Sequence, residues 1–488
     1  MNCIKKYFLF CFISGGLFAQ QTSVDERIKQ VESGLSSWAK IEGSTDWTIE
    51  ERMRYYGVNA LSVAVINNYK IDWAKAYGWA DTAEHRKATT ETMFQAGSIS
   101  KSLNAMGVLK LYQEKKIDIY TDINTYLMSW KFPYDEKSKG KKITLAQLLS
   151  HTAGLNLEKG FPGYKQGKKI PTLLQVLDGK KPANTKAIRS EFEPGLKYQY
   201  SGGGTEISQL IVMDISKQFY DMYMYTTIFK PLDMSNSFFT QPPLGFRQEF
   251  LATAYDGEKD NSKYNIYPEQ AAAGLWTTPT DLCKYIIETQ LALEGKSEKV
   301  LNAATTRLRL SSYMDAIAPD VDAAFGAVLV KKGNEKYFCH AGGTAGFNAL
   351  FYGSLKNGNG VVVMCNSNNN GFKSEVINSV AQVYGWQNFN QPDTMKVKQV
   401  AAGILEKYMG TYKLQGNKVL IKKATNGLSL QKDALPRQMY FTSDSTFFCY
   451  EDYKTEYTFI KDNKGKVSGC SKKTNFPKVE LVVAKKVK

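Results

Sequence analysis

Histidine is scarce: 488 residues carry only His85, His151 and His340, far apart in the chain. A multi-histidine metal site is hard to build from so few, and neither a metal nor an organic cofactor is expected. Seven cysteines are too few for a disulfide scaffold. Past the first twenty residues no window is apolar enough for a transmembrane helix, and no internal repeat recurs. A Gly-x-Ser-x-Gly elbow is absent, which disfavours an α/β-hydrolase. What is present, 43% hydrophobic and 23% charged residues, excludes disordered, collagen-like and coiled-coil classes and leaves a folded chain with a large core.

The N-terminus has the form of a secretory signal. Lys5 and Lys6 precede a twelve-residue apolar run, Tyr7 to Phe18, too short to span a bilayer comfortably. Cleavage near Ala19 or Gln20 is expected, with residues 1–20 removed and the protein periplasmic or secreted. The alternative is an uncleaved anchor. Cys283, Cys339, Cys365, Cys449 and Cys470 then remain, an odd number. Cys449 and Cys470 could pair, which the sequence alone leaves open.

The formal charge is +16. Residues 401–488 hold 17 Lys/Arg against 8 Asp/Glu, a balance of +9. Nucleic-acid binding is the first idea such a balance raises, but export and scattered lysines argue for a solvated β surface with some attraction to anionic envelope material.

Residues 24–46 look helical. Leu61–Asn67 and Ile71–Tyr77 form two strands with a turn at Asn67-Asn68. Ser98–Lys115 reads as a helix, and residues 116–320 as mostly helix and loop. Four strands follow at Phe325–Val330, Tyr337–His340, Phe347–Tyr352 and Gly360–Cys365, then a helix over Phe372–Trp386. One antiparallel sheet built from both ends, flanked by helices and carrying an α subdomain, is the expected α/β architecture for residues 24–387. Residues 388–399 form an expected linker. Short strands after residue 400 suggest a small β-barrel over 400–488.

Chemistry concentrates at Ser98-Ile99-Ser100-Lys101. Ser-x-x-Lys puts both side chains on one helical face, although it occurs four times in this chain. Only Ser98/Lys101 opens a helix with an apolar stripe, Ala105, Val108, Leu109 and Tyr112. Burial on that stripe favours a neutral amine able to take a serine proton, and the free amides of a helix start favour developing negative charge at Ser98. The other reading is an N-cap serine and a snorkelling lysine.

Other blocks decide between these. Gly57 to Val65, Tyr77-Gly78-Trp79-Ala80-Asp81, the Ser98 block, Leu148 to Leu155, Pro194-Gly195 with Tyr198 to Gly204, Ala273 to Thr278, and His340-Ala341-Gly342-Gly343 occur in order. With them the chain resembles the serine β-lactamase and penicillin-recognising family over about Gly57 to Trp386, specifically its class C β-lactamase, D-aminopeptidase and esterase branch. The resemblance implies a nucleophilic Ser98, proton transfer through Lys101 and Tyr200, and an oxyanion hole from the amides of Ser98 and Gly343. Tyr200-Ser201-Gly202 departs from the family's Tyr-x-Asn, so Gly202 stands where a substrate-holding amide is usual. His340-Ala341-Gly342 matches the His-x-Gly form of the third motif, where a lysine would give a fixed cation. Both departures tilt the expectation from β-lactam hydrolysis towards an esterase or a peptidase/amidase. His151 is expected to be structural and His85 a surface residue. Residues from Leu405 resemble a lipocalin-like domain often appended to such hydrolases.

The expectation is therefore an exported serine hydrolase acting through an acyl-enzyme on a small ester, peptide or β-lactam. A non-catalytic envelope-binding or sensor protein on the same fold is the alternative.

Overall fold

The computed structural model describes residues 23–256, 262–369, 371–414, 417–432, 436–474 and 480–487. The expected signal segment 1–20 lies outside the described residues. A first sheet comprises β1 (Ala60–Asn67), β2 (Lys70–Asp81), β3 (Arg86–Lys87), β4 (Met314–Ala318), β5 (Val321–Ala324), β6 (Ala327–Lys332), β7 (Glu335–Thr344), β8 (Phe347–Ser354) and β9 (Gly360–Cys365). Their spatial order is β3–β2–β1–β9–β8–β7–β6–β5–β4, antiparallel throughout.

Helices around it are α1 (Val24–Ser33), α2 (Ile49–Tyr56), α3 (Ser100–Gln113), α4 (Leu145–Leu149), α5 (Leu173–Asp178), α6 (Gly202–Ser216), α7 (Tyr220–Met224), α8 (Gln270–Ala273), α9 (Pro279–Leu293), α10 (Ala303–Arg309) and α11 (Gly371–Val383). Strand alternation assigns the two faces. Leu61, Val63, Val65, Val361 and Val363 pack on α1, α2 and α11. Ala64, Ile66, Val362 and Met364 point to the other core, with α3, α6 and α9. The central strands are buried on both sides, so they read as continuous apolar runs, each fully buried Val or Leu contributing on the order of 1.5–3 kcal/mol.

A second sheet curls into a nearly closed barrel preceded by α12 (Ala402–Tyr408). Its strands are β10 (Gly410–Leu414), β11 (Asn417–Ala424), β12 (Gly427–Gln431), β13 (Arg437–Gln438), β14 (Tyr440–Phe441), β15 (Thr446–Phe448), β16 (Thr455–Lys461), β17 (Val467–Thr474) and β18 (Glu480–Lys486). They run β13–β12–β11–β10–β18–β17–β16–β15–β14. Tyr408, Tyr412, Phe447, Tyr457 and Phe459 fill the interior, and the cavity bounded by Tyr412, Ile421, Leu430 and Cys470 holds only about 20 Å³.

Several local expectations need correction. Residues 24–46 are not one helix: α1 stops at Gly34, whose N–H turns back to Val31 O, and Ala39–Ile41 pairs in parallel with Asp393–Met395, inside the expected linker. The first hairpin turns on Asn68 and Tyr69, with φ of 51° and 63°, one residue later than expected. β4 falls in the stretch 116–320 expected to be helix and loop, and β5 in the gap before the strand expected at Phe325, because a half-exposed edge hairpin has no apolar run to betray it. The stripe expected on α3 is not a stripe, since every residue from Ser100 to Leu109 is buried. Cys449 and Cys470 are not bonded; all five described cysteines are free and buried.

Candidate active site

Ser98 sits in a single 3-10 turn, Gly97–Ile99, that runs into α3. Lys101 follows one helical turn on, which brings its side chain back to the serine. Its Nζ lies 3.0 Å from Ser98 Oγ and donates to Ala272 O at 2.7 Å. Lys101 is 3% exposed. Tyr200 arrives on the extended segment before α6 and donates from its hydroxyl to Ser98 Oγ at 2.6 Å. Lys101 Nζ is 5.0 Å from the Tyr200 ring centre. The three residues expected from the sequence thus meet at one oxygen atom.

His151 explains the position of Tyr200. Its backbone is left-handed, φ 59°, at the turn that follows α4, in keeping with the structural part expected of it. It also lines the cavity and supports the tyrosine, which the sequence did not reveal. Its Nδ1 accepts the Ser201 N–H at 3.2 Å, and its ring centre is 4.3 Å from that of Tyr200. Burial, reinforced by the Lys101 charge, holds its pKa well below the ordinary value, which keeps Nδ1 free to accept.

The opposite wall is β7. Its pairing with β6 ends at Cys339, opposite Val328, so from His340 onward that edge is unpaired and faces Ser98. Two glycines let it approach. A Cβ on Gly342 would come within 1.9 Å of Ala96 O, and one on Gly97 within 2.7 Å of Gly343 N. The Gly343 amide therefore lies against the turn that carries Ser98. His340 is 9% exposed. Burial, then the Lys101 charge, draws its pKa down to about 4. Its Nδ1 is 2.7 Å from Ala341 O, a contact that requires the proton on Nδ1.

A cavity of about 470 Å³ joins these groups. Ala323, Ala324, Ala327 and Val328 give it apolar lining, and Asn348 and Lys373 line it as well. Lys373 donates to Asn348 Oδ1 at 2.9 Å, and burial lowers its pKa to about 8. This second lysine gave no signal in the sequence, since it lies on α11 outside every motif. Gly202 does not reach the cavity. It starts α6 beneath Phe161, whose ring a Cβ there would meet at 2.9 Å, so a side chain at this position would displace Phe161. His85 is exposed, as expected. Among the described residues no group of three or more His, Cys, Asp or Glu converges to hold a metal ion.

The family model described as Beta-lactamase matches residues 46–384. Among curated proteins, Protein flp of Staphylococcus aureus (strain N315) is 23% identical over 335 residues, which cover 66% of this chain and 62% of that protein. A teichoic acid D-alanine hydrolase of Staphylococcus aureus is 27% identical over 259 residues, 52% of this chain and 60% of that protein. The chain thus spans less than two thirds of the length of either relative. An octameric penicillin-binding protein homologue from Pyrococcus abyssi superposes with a TM-score of 0.62 at 20% identity, covering 90% of this chain and 98% of that one. At that identity the likeness concerns the fold.

Proposed function

The chain belongs to the Beta-lactamase family, and from that membership we propose that it is an exported serine hydrolase working through an acyl-enzyme. The observation that carries the reading is the convergence of Tyr200 O–H and Lys101 Nζ on Ser98 Oγ at 2.6 and 3.0 Å. Ser98 Oγ bonds to the acyl carbon while its proton leaves through the Lys101–Tyr200 pair. The same pair returns a proton to the departing alcohol or amine, so charge balances in the first half-reaction. Water then repeats the sequence on the acyl-enzyme and releases the acid. The amides of Ser98 and Gly343 receive the oxyanion, each such donor being worth about 2.7–4 kcal/mol.

Esters and amides of small acyl groups suit the site. His340 is neutral at pH 7 and offers no fixed cation at the third motif, which favours esters and peptides over penicillins. One relative is a teichoic acid D-alanine hydrolase, so D-alanyl esters belong among the first substrates to assay. The barrel, with its +9 balance, is proposed to attract anionic envelope material, and the signal-like N-terminus supports a periplasmic or secreted location.

Turnover of p-nitrophenyl butyrate tests the reading. Ser98→Ala is expected to lower kcat by more than about 10³-fold, as loss of a nucleophile does. A fluorophosphonate or fluorescent penicillin should form its adduct on Ser98. Equal rates in wild type and Ser98→Ala, with no label on Ser98, would favour a binding protein instead.

A further inference from the structure

Behind Lys101 lie two buried acids that the proposed mechanism does not use. Glu206 on α6 and Glu269 at the head of α8 are both 0% exposed. Glu206 Oε1 accepts the Ala272 N–H at 3.0 Å, and Gln209 Oε1 accepts the Ala271 N–H at 2.7 Å. α6 therefore carries the short helix α8 on two side-chain acceptors. The carbonyl of the same residue is the one that matters, because Ala272 O holds Lys101 Nζ at 2.7 Å. One residue, Ala272, separates Glu206 from the amine at the serine.

Glu206 Oε2 finds no hydrogen-bond partner, Glu269 interacts with the Tyr164 side chain, and among the described residues neither acid forms an ion pair with Lys101. A buried carboxylate left this bare is costly, whereas a neutral carboxylic acid is tolerated. The titratable groups facing Glu206 are Lys101 on α3, Glu269, and Tyr220 on α7, whose hydroxyl donates to Asn104 Oδ1. α4 brings none, and Asp178 on α5 is bound by Trp130 and Lys180. Burial first, then the neighbouring Glu269, raises the pKa of Glu206 well above the ordinary carboxyl value.

We propose that Glu206 is a positioning residue for Lys101: as a neutral acid it carries the turn whose Ala272 carbonyl fixes the amine, and its ionisation, which buries a bare charge behind that turn, silences the site. The proposal rests on the hydrolase reading for the role of Lys101. It accounts for an acid with a bare oxygen buried beside a lysine without pairing to it.

Three measurements decide it. Glu206→Gln keeps an oxygen for the Ala272 N–H and cannot ionise, so kcat for p-nitrophenyl butyrate should stay near wild type at pH 7 while the alkaline fall of the kcat profile is lost. Glu206→Met removes the acceptor and should cost about 10- to 100-fold in kcat, the range typical of an outer partner of an active-site group, with KM unchanged. Infrared difference spectra, wild type minus Glu206→Gln at pH 7, should contain the C=O band of a protonated carboxylic acid. Superimposable pH profiles, or a difference spectrum without that band, overturn the proposal. The infrared arm needs no turnover: a wild type that neither hydrolyses esters nor labels at Ser98 sinks the hydrolase reading, while the band still decides the state of Glu206.

Discussion

Burial holds two histidines beside Lys101 in their neutral forms, and each departs from the ordinary imidazole in the same direction. For His340 the sign is definite. Native His340 binds fewer protons than the unfolded chain between its ordinary value near 6.5 and about 4. Its contribution to stability is full above about pH 6.5 and drains away as pH falls towards 4. Urea unfolding at pH 7 and pH 5 should show the midpoint falling, and His340→Gln should make that fall shallower; equal slopes in both proteins would refute the assignment. Glu269 works in the opposite sense: burial raises its carboxyl to about 8, so native Glu269 binds more protons than the unfolded chain between its ordinary value and about 8, and its contribution to stability drains away as pH rises through that window. Neither effect could be read from the sequence. Ser98, Lys101 and Tyr200 were legible because their chemistry is tied to short spacings and ordered blocks. His151, Glu206 and Lys373 were not, because their roles come only from what the fold places against them.

The approach of β7 to the Ser98 turn is a property of the strand rather than of one side chain. Two adjacent glycines there face different surroundings. A Cβ on Gly342 would overlap Ala96 O at 1.9 Å, whereas one on Gly343 would meet nothing closer than Asn348 Oδ1 at 3.5 Å. Gly342→Ala should therefore push the strand off the turn, with a destabilisation of about 1–3 kcal/mol and a loss of kcat near the 10²–10³-fold typical of a displaced oxyanion donor. Gly343→Ala should fold with wild-type stability. Thermal melts and ester kinetics of the pair check this, and equal melting temperatures for the two variants would contradict the packing argument. His340-Ala341-Gly342-Gly343 marked the strand, but that β6 stops at Cys339 and frees the edge depends on the β6–β7 register. Continuous apolar strands such as β1 and β9 are legible in the sequence, while β4 and β5, largely half exposed, are not.

At the scale of the whole molecule the barrel docks away from the chemistry. Trp38 Nε1 donates to Tyr450 O at 2.9 Å, the Trp47 ring meets Tyr450 edge-on at 4.7 Å, and the Tyr55 hydroxyl donates to Glu451. Among the described residues none beyond Lys373 lines the 470 Å³ cavity. A route from barrel to site does exist on α11, which carries Lys373 at the cavity and Glu375 two residues on. Glu375, however, is gripped by Arg52 through two contacts of 2.6 Å, and both residues precede the barrel, so the helix keeps its anchor without it. Ending the chain at Met395 also preserves the pairing of Asp393–Met395 with Ala39–Ile41. The expected outcome is a folded protein with a lower Tm, since Trp38 and Tyr55 lose their cover, and an unchanged kcat for a small ester per folded molecule. It should also lose salt-sensitive sedimentation with cell-wall material, because the barrel's surface charges act over about 8 Å at physiological ionic strength. A shortened protein that stays folded by circular dichroism yet loses ester turnover would show that the Tyr55–Glu451 and Arg52–Glu375 contacts transmit to Lys373, and that the barrel belongs to the catalytic apparatus after all.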